Sequence, residues 1–226
     1  MNAAPLPAAV FWDMDGTLID SEPYWLAEET ALVESFGGVW SAADGLQLVG
    51  SSLEGSALIL QSRGVAMTTQ QIIDHLTDRV MARIAGEVPW RPGARELLSA
   101  LRDAGVPTAL VTMSIRRMAE PVVAALGFPG FDALVAGDQV DEGKPAPECY
   151  LRAAELLGVD PARSVAIEDS EYGVAAGVAA GMATIAVPLH VPLPESPSYT
   201  LWPGLDGKTP ADLAAVLAAR RAGAQA

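Results

Sequence analysis

Val10-Phe11-Trp12-Asp13-Met14-Asp15-Gly16-Thr17-Leu18-Ile19-Asp20 decides how the chain is read. An apolar run from Ala8 to Trp12 leads directly into two carboxylates spaced two apart, and Gly16 and Thr17 follow at once. Such a run reads as a buried strand whose C-terminal end opens into a turn. In open α/β sheets that end of a strand is where ligands bind. Side chains alternate with period two, so Asp13 and Asp15 share one face of an extended segment. Two like charges that close are unfavourable unless a cation or a proton lies between them. Mg2+ takes oxygen ligands and keeps waters and phosphate oxygens, so it suits the pair. Taken alone, the stretch is also compatible with a plain strand end closed by an Asp-Gly turn. Residues further along decide between the two.

Working outward, the pattern after Ile19 is helical. Ser21-Glu22-Pro23 reads as a helix start, with Ser21 accepting from free amides and Pro23 in the first turn. Trp25, Leu26, Leu32, Val33 and Phe36 then fall at helical spacing up to Gly37-Gly38. Further helices are expected at 42–48, 53–63 and 69–85, the last with one stripe of Ile72, Ile73, Leu76, Val80 and Ile84. No strand pattern appears before Trp90. From Arg91 strands and helices alternate. Strands are expected at 107–111, 134–136, 164–167 and 184–187. Helices are expected at 92–104, 115–126, 147–157, 172–180 and 210–221, and a proline-rich surface loop at 187–203. This predicts an α/β fold with a Rossmann-like parallel sheet, helices on both faces and an inserted all-helical cap. The expected division is a core of 1–20 and 91–226 and a cap of 21–90. Gly173, Gly177 and Gly181 give one helix a small face that lies close against the sheet.

Composition narrows the function classes. The chain has 226 residues, half of them hydrophobic, with 14 basic and 28 acidic residues for a net charge of −14. Nucleic acid and anionic membrane surfaces are therefore not expected as partners. An anionic substrate needs local positive charge, from a metal or a well-placed lysine. A single cysteine, Cys149, allows no internal disulfide and fits a cytoplasmic location. The two histidines, His75 on a helix side and His190 in a loop, have no partners for metal or triad work. Met1 to Pro7 lacks the basic residues of a signal peptide. No apolar run reaches the roughly 20 residues of a membrane helix. A monomer or weak dimer is expected.

Other strand ends carry polar residues. Val111 is followed by Thr112-Met113-Ser114, Ala136 by a loop reaching Gly143-Lys144-Pro145, and Ile167 by Glu168-Asp169-Ser170. With Asp13 and Asp15, carboxylates, a hydroxyl and a lysine gather at one sheet edge, which are the parts a phosphate site needs. Each residue also has a structural alternative. Thr112 satisfies a strand end, Lys144 is an exposed loop lysine, and Glu168-Asp169 caps the helix that follows. Asp20 and Ser21 read as caps, and Cys149 packs a helix. Gly143-Lys144 is not a P-loop, because its spacing from Gly137 is wrong and Pro145 replaces the hydroxyl residue. No Gly-x-Ser-x-Gly occurs.

Asp13-Met14-Asp15-Gly16-Thr17-Leu18, Thr112, Lys144 and Glu168-Asp169 resemble, in order, the four motifs of the haloacid dehalogenase-like (HAD) hydrolases. Gly-Lys-Pro-x-Pro, Ile-Glu-Asp-Ser and the helical insert resemble the subgroup of β-phosphoglucomutase, phosphoglycolate phosphatase and sugar-phosphate phosphatases. The resemblance spans Val10 to about Leu217. It implies that Asp13 is a nucleophile forming an aspartyl-phosphate and that Asp15 is general acid and then base. It implies Mg2+ held by Asp13, the backbone carbonyl of Asp15 and Asp169, with Glu168 as a further ligand or neighbour. Thr112 and the Met113 amide would bind phosphate oxygens, and Lys144 would neutralise Asp13 and the phosphoryl group. The segment Val49-Gly50-Ser51-Ser52-Leu53-Glu54 aligns with the cap loop that enters the site, so Gly50 and Ser51 are expected against substrate. In the β-phosphoglucomutase pattern that loop carries Lys and Arg for a second phosphate; here Val49 and Leu53 stand there. Trp12 replaces the usual Phe. Glu22, Tyr24 and Trp25 are expected on the cap side of the cleft or in the core. The implied activity is Mg2+-dependent hydrolysis of a small phosphorylated metabolite, a sugar phosphate or phosphoglycolate. A phosphomutase is the first alternative, a metal-free dehalogenase the second and a silent binding protein the third.

Overall fold

The computed structural model of the chain describes residues 4–223. Residues 1–3, part of the Met1 to Pro7 stretch read above, and residues 224–226 lie outside the described residues. Strand β1 (Val10–Trp12) is followed by helices α1 (Glu22–Ser35), α2 (Ala42–Gly45), α3 (Leu53–Ser62) and α4 (Thr69–Gly86). The chain then alternates through α5 (Ala94–Asp103), β2 (Thr108–Val111), α6 (Arg116–Ala124), β3 (Ala133–Val135) and α7 (Glu148–Leu157). It ends with β4 (Val165–Glu168), α8 (Glu171–Ala179), β5 (Ala183–Ala186), β6 (Thr200–Leu201) and α9 (Pro210–Gly223).

The strands form one sheet in the order β3-β2-β1-β4-β5-β6. Every pairing is parallel, and Val10 stands level with Thr108 on one side and Val165 on the other. Because side chains alternate, β1 feeds two cores. Val10 and Trp12 pack with Leu97 and Leu101 of α5, Met118 and Val122 of α6, and Leu213 and Leu217 of α9. Phe11 packs with Cys149, Tyr150 and Ala153 of α7 and Ala176 of α8. Helices thus cover both faces, as expected of short, fully buried parallel strands. The chain order reverses between β1 and β4, and ligands bind outside the strand C-termini at such a switch point.

The helices between β1 and β2 hold together by their own packing. The α4 stripe of Ile72, Leu76, Val80 and Ile84 is buried with Leu32, Val33 and Leu60. Full burial of one such side chain contributes about 1.5–3 kcal/mol. Thr68 and Gln71 close a capping box at the start of α4. Glu28 of α1, buried, is paired with Arg79 at 3.0 Å and Arg83 at 2.6 Å from α4.

Three expectations need correction. The proline-rich stretch after Val187 is not wholly loop, since Thr200–Leu201 adds a short strand beside β5. Two residues are too short for periodicity to register. Ser21 precedes α1 but makes no side-chain cap, because its hydroxyl is turned to Asp15 instead. Nor do Glu168 and Asp169 cap α8; Ser170 does, accepting from the Gly173 N–H at 3.1 Å. The small face of α8 is as expected. A Cβ on Gly177 would lie 2.9 Å from Thr184 Oγ1 and 3.1 Å from Ala166 Cβ, and one on Gly173 would strike the Glu168 carboxylate.

Candidate active site

Asp13 is the first residue past β1, tied to the sheet by its N–H to Ile167 O at 3.1 Å. The chain then turns sharply at Gly16, whose φ of 80° suits glycine. The Asp169 carboxylate lies directly over this turn, and the Thr17 hydroxyl is 3.5 Å from its Oδ1. Arg91, itself buried, donates to the carbonyls of Gly16 and Val187 and so fixes the turn to the edge of the sheet.

Lys144 is 6% exposed, so the exposed-loop alternative does not apply. Its ammonium has three donors, and three partners meet them: Asp13 Oδ1 at 2.7 Å, Glu168 Oε1 at 2.6 Å and Val111 O at 2.9 Å. Burial would lower its pKa, but Asp13 and Glu168 outweigh that and keep it charged. Tyr150 donates to Glu168 Oε1 from below. The Lys144 N–H lies 3.2 Å from the Met113 sulfur, so Met113 braces the lysine loop through its side chain.

Asp15 is held apart from this group. Ser114 Oγ donates to its Oδ2 at 2.7 Å, with Thr112 Oγ1 at 3.4 Å. On the cap side, Ser21 Oγ and Trp25 Nε1 donate to its Oδ1. Hydroxyls both donate and accept, so the same partners can serve Asp15 with or without a proton. Thr112 Oγ1 also accepts the Ser114 N–H at 3.0 Å.

One lysine faces Asp13, Glu168 and Asp169, whose carboxylate oxygens lie within 4.8 Å of one another. Burial and the excess negative charge together raise Asp13 and Asp169. Burial, reinforced by Glu168, pushes Asp13 up to about 7. Burial and Asp13 raise Asp169 well above the usual carboxylate range. Glu168 Oε2 is buried without a hydrogen-bond partner. An all-oxygen set short of positive charge fits a hard divalent cation such as Mg2+, and the Asp15 backbone carbonyl belongs to the same turn.

A cavity of about 70 Å³ opens on this edge, bordered by Asp13, Asp15, Thr112, Lys144, Asp169 and Ser170. One water needs only about 10–15 Å³ on the same measure, so the space admits a phosphate-sized group. Gly50 and Ser51, just before α3, border it as well. Gly50 presses on Ser170, where a Cβ would come within 2.5 Å of that hydroxyl. Leu53, Glu22 and Trp25 border it too, and among the described residues Lys144 is the only Lys or Arg to do so. Tyr24 does not; its ring lies under Arg83 instead.

Sequence reasoning missed Ser114, Tyr150 and Arg91. Ser114 carries a weak signal, since it stands two residues past Thr112 at a strand end. Tyr150 and Arg91 carry none, because their roles arise only when distant segments meet. His190 was read as lacking a partner, but its Nε2 is 2.6 Å from Asp20 Oδ1. Trp12 packs with no exposure and leaves its indole N–H unpaired.

The chain is similar to known proteins over most of its length. The family model described as haloacid dehalogenase-like hydrolase matches residues 7–181. Hexitol phosphatase B of Escherichia coli K12 is 34% identical over 185 residues, covering 80% of this chain and 83% of that protein. N-acetylmuramic acid 6-phosphate phosphatase of Pseudomonas aeruginosa is 34% identical over 196 residues, covering 79% and 80%. The crystal structure of CbbY from Rhodobacter sphaeroides, in complex with xylulose-(1,5)bisphosphate, superposes with a TM-score of 0.81 at 28% identity, covering 89% of this chain and 96% of that one.

Proposed function

The chain belongs to the haloacid dehalogenase-like hydrolases, and from that premise we propose that it is a Mg2+-dependent phosphomonoester hydrolase acting on a small phosphorylated metabolite. The observation that carries this reading is Asp13 itself. Its carboxylate borders the cavity beside Lys144 and Asp169, with a second carboxyl, Asp15, two residues on and separately held.

In this reading Asp13 attacks phosphorus through a carboxylate oxygen, and the phosphorus–oxygen bond to the alcohol breaks. Asp15 gives its proton to the departing alkoxide. Asp15 then takes a proton from the water that attacks the aspartyl-phosphate, which restores Asp13 and releases phosphate. Lys144 favours the ionised form of Asp13, orients it, and offers its charge to the phosphoryl oxygens. Thr112 and the Met113 amide border the same oxygens. Mg2+, held by Asp13, Asp169 and the Asp15 carbonyl, would neutralise charge on the transferring group. Glu168, engaged by Lys144 and Tyr150, fixes the lysine from behind. Residues 21–90 serve as a cap that opens to admit substrate and closes to limit water.

The relatives' names point to phosphorylated sugars and sugar alcohols as the substrate class. A mutase reading has less support, because Leu53 and the other cap residues at the cavity offer no cation for a second phosphate. The test is phosphate release from a panel of phosphate esters with Mg2+. Release should occur with at least one ester, cease in excess EDTA and cease in Asp13→Asn. Turnover that persists in EDTA, or in the Asn variant, would contradict the mechanism.

A further inference from the structure

Two carboxyl groups on the cap wall of the cavity have no part in the chemistry above. Glu22 and Glu29, both from α1, border it together with Leu48, Leu53, Ile72 and Leu76. Glu29 is 5% exposed. Trp40 Nε1 donates to its Oε2 at 3.2 Å, and among the described residues nothing donates to its Oε1. Lys144, the one cation at the cavity, is already committed to Asp13 and Glu168. The contrast with Glu28, the next residue in the chain, is informative. Glu28 is equally buried, but two arginines match it. Glu29 thus brings an oxygen without a protein donor to the wall of the space that a leaving group would occupy.

We propose that Glu29 determines specificity for the leaving group. Its free oxygen, with the Glu22 carboxyl, receives the hydroxyls of a neutral polyhydroxy alcohol, and a leaving group with its own negative charge finds no cation on this wall. The inference rests on the hydrolase reading and narrows it. Monophosphates of sugars or sugar alcohols are substrates; phosphoglycolate and bisphosphates are not. The apolar residues around Glu29 leave an anion no cation to compensate its loss of water.

The test compares kcat/KM for a sugar-alcohol monophosphate with that for phosphoglycolate, by phosphate release in Mg2+. The wild-type enzyme should favour the former by about 100-fold or more. Glu29→Gln, which keeps the shape and removes the charge, should narrow that ratio by about tenfold or more. The change should appear as a higher KM for the polyol ester and a lower one for phosphoglycolate. A purely structural role would depress both substrates together and leave the ratio unchanged. Trp40→Phe, which releases the other oxygen of Glu29, should narrow the ratio in the same direction and stands in if the Gln variant does not fold. Equal use of both esters by the wild-type enzyme, or an unchanged ratio in both variants, overturns this inference and leaves the hydrolase reading intact. No release from any ester overturns both.

Discussion

Alanine at Gly16 should damage catalysis far more than folding. Gly16 has φ of 80°, where an L residue costs about 1–2 kcal/mol. An added Cβ would lie 2.5 Å from Asp169 Cγ, where ordinary contact begins at 3.4 Å. More than about 0.9 Å must therefore be found, since Asp169 Oδ2 lies closer still. The turn cannot retreat, because its N–H bonds Ile19 O at 2.8 Å and its carbonyl is gripped by Arg91. Asp169 must yield, and a misplacement of about 1 Å at a reacting centre costs on the order of 100-fold in rate. The expected result is a fall in kcat of about 100-fold with a higher Mg2+ concentration for half-activity. The melting temperature should drop by about 2–8 °C, at about 2–4 °C per kcal/mol for a chain of this size. Gly37→Ala is the control, having φ of 78° and nothing within 4 Å of the new Cβ. It should lose the same stability and keep its activity. Phosphate release across a Mg2+ titration, with thermal melts, measures both. Wild-type kcat and Mg2+ dependence in Gly16→Ala would refute the reasoning, as would an equal catalytic loss in Gly37→Ala.

Lys144→Met strands two buried carboxyls and should cost about 3–5 kcal/mol in urea unfolding together with turnover; a loss below about 1 kcal/mol would show that the lysine is not the counter-charge assigned to it. Ser114→Ala removes the 2.7 Å bond to Asp15 and should lower kcat about tenfold with little change in melting temperature. An unaltered kcat would remove Ser114 from the positioning of Asp15. For Glu28, burial raises the pKa but the bonds from Arg83 and Arg79 outweigh it, and the net shift is downward. Its contribution is therefore present above the unfolded carboxylate value of about 4.3 and is lost as pH falls through the lower folded value. Both arginines are largely exposed, so Glu28→Gln should cost only about 1 kcal/mol at pH 7, and its stability should vary less with pH in the acid range. Identical acid unfolding curves would contradict the sign.

The parts of the site that each rest on one short segment were legible in the sequence. Asp13 and Asp15 follow an apolar run, Glu168 and Asp169 end another, and each run is a strand because it is buried on both faces. Lys144 was placed by resemblance, since nothing in Gly143-Lys144-Pro145 itself announces a buried ammonium. What sequence reasoning missed depends on meetings between segments. Arg91 reads as an ordinary loop cation until Gly16 and Val187 bring it two carbonyls. Ser21 has a sound capping pattern, but Asp15 competes for its hydroxyl and wins. Glu29 lies beside Glu28 in a helix of mixed polarity, and only the fold separates the acid matched by arginines from the acid left at the cavity.

The strand order has a consequence for biosynthesis. β1 leaves the ribosome well ahead of β4, its neighbour on one flank, which begins about 150 residues later. Until Val165–Glu168 emerges, a nascent chain can dock β2 and β3 but must leave one side of Val10–Trp12 open, an apolar edge ready to pair with the wrong partner. A chain truncated ahead of Ser164 should accordingly be an aggregating fragment and not a weak enzyme. Asp13 would face Lys144 there with neither Glu168 nor Asp169 beside it, and the interval between the emergence of β3 and that of β4 would be the one in which a chaperone matters most.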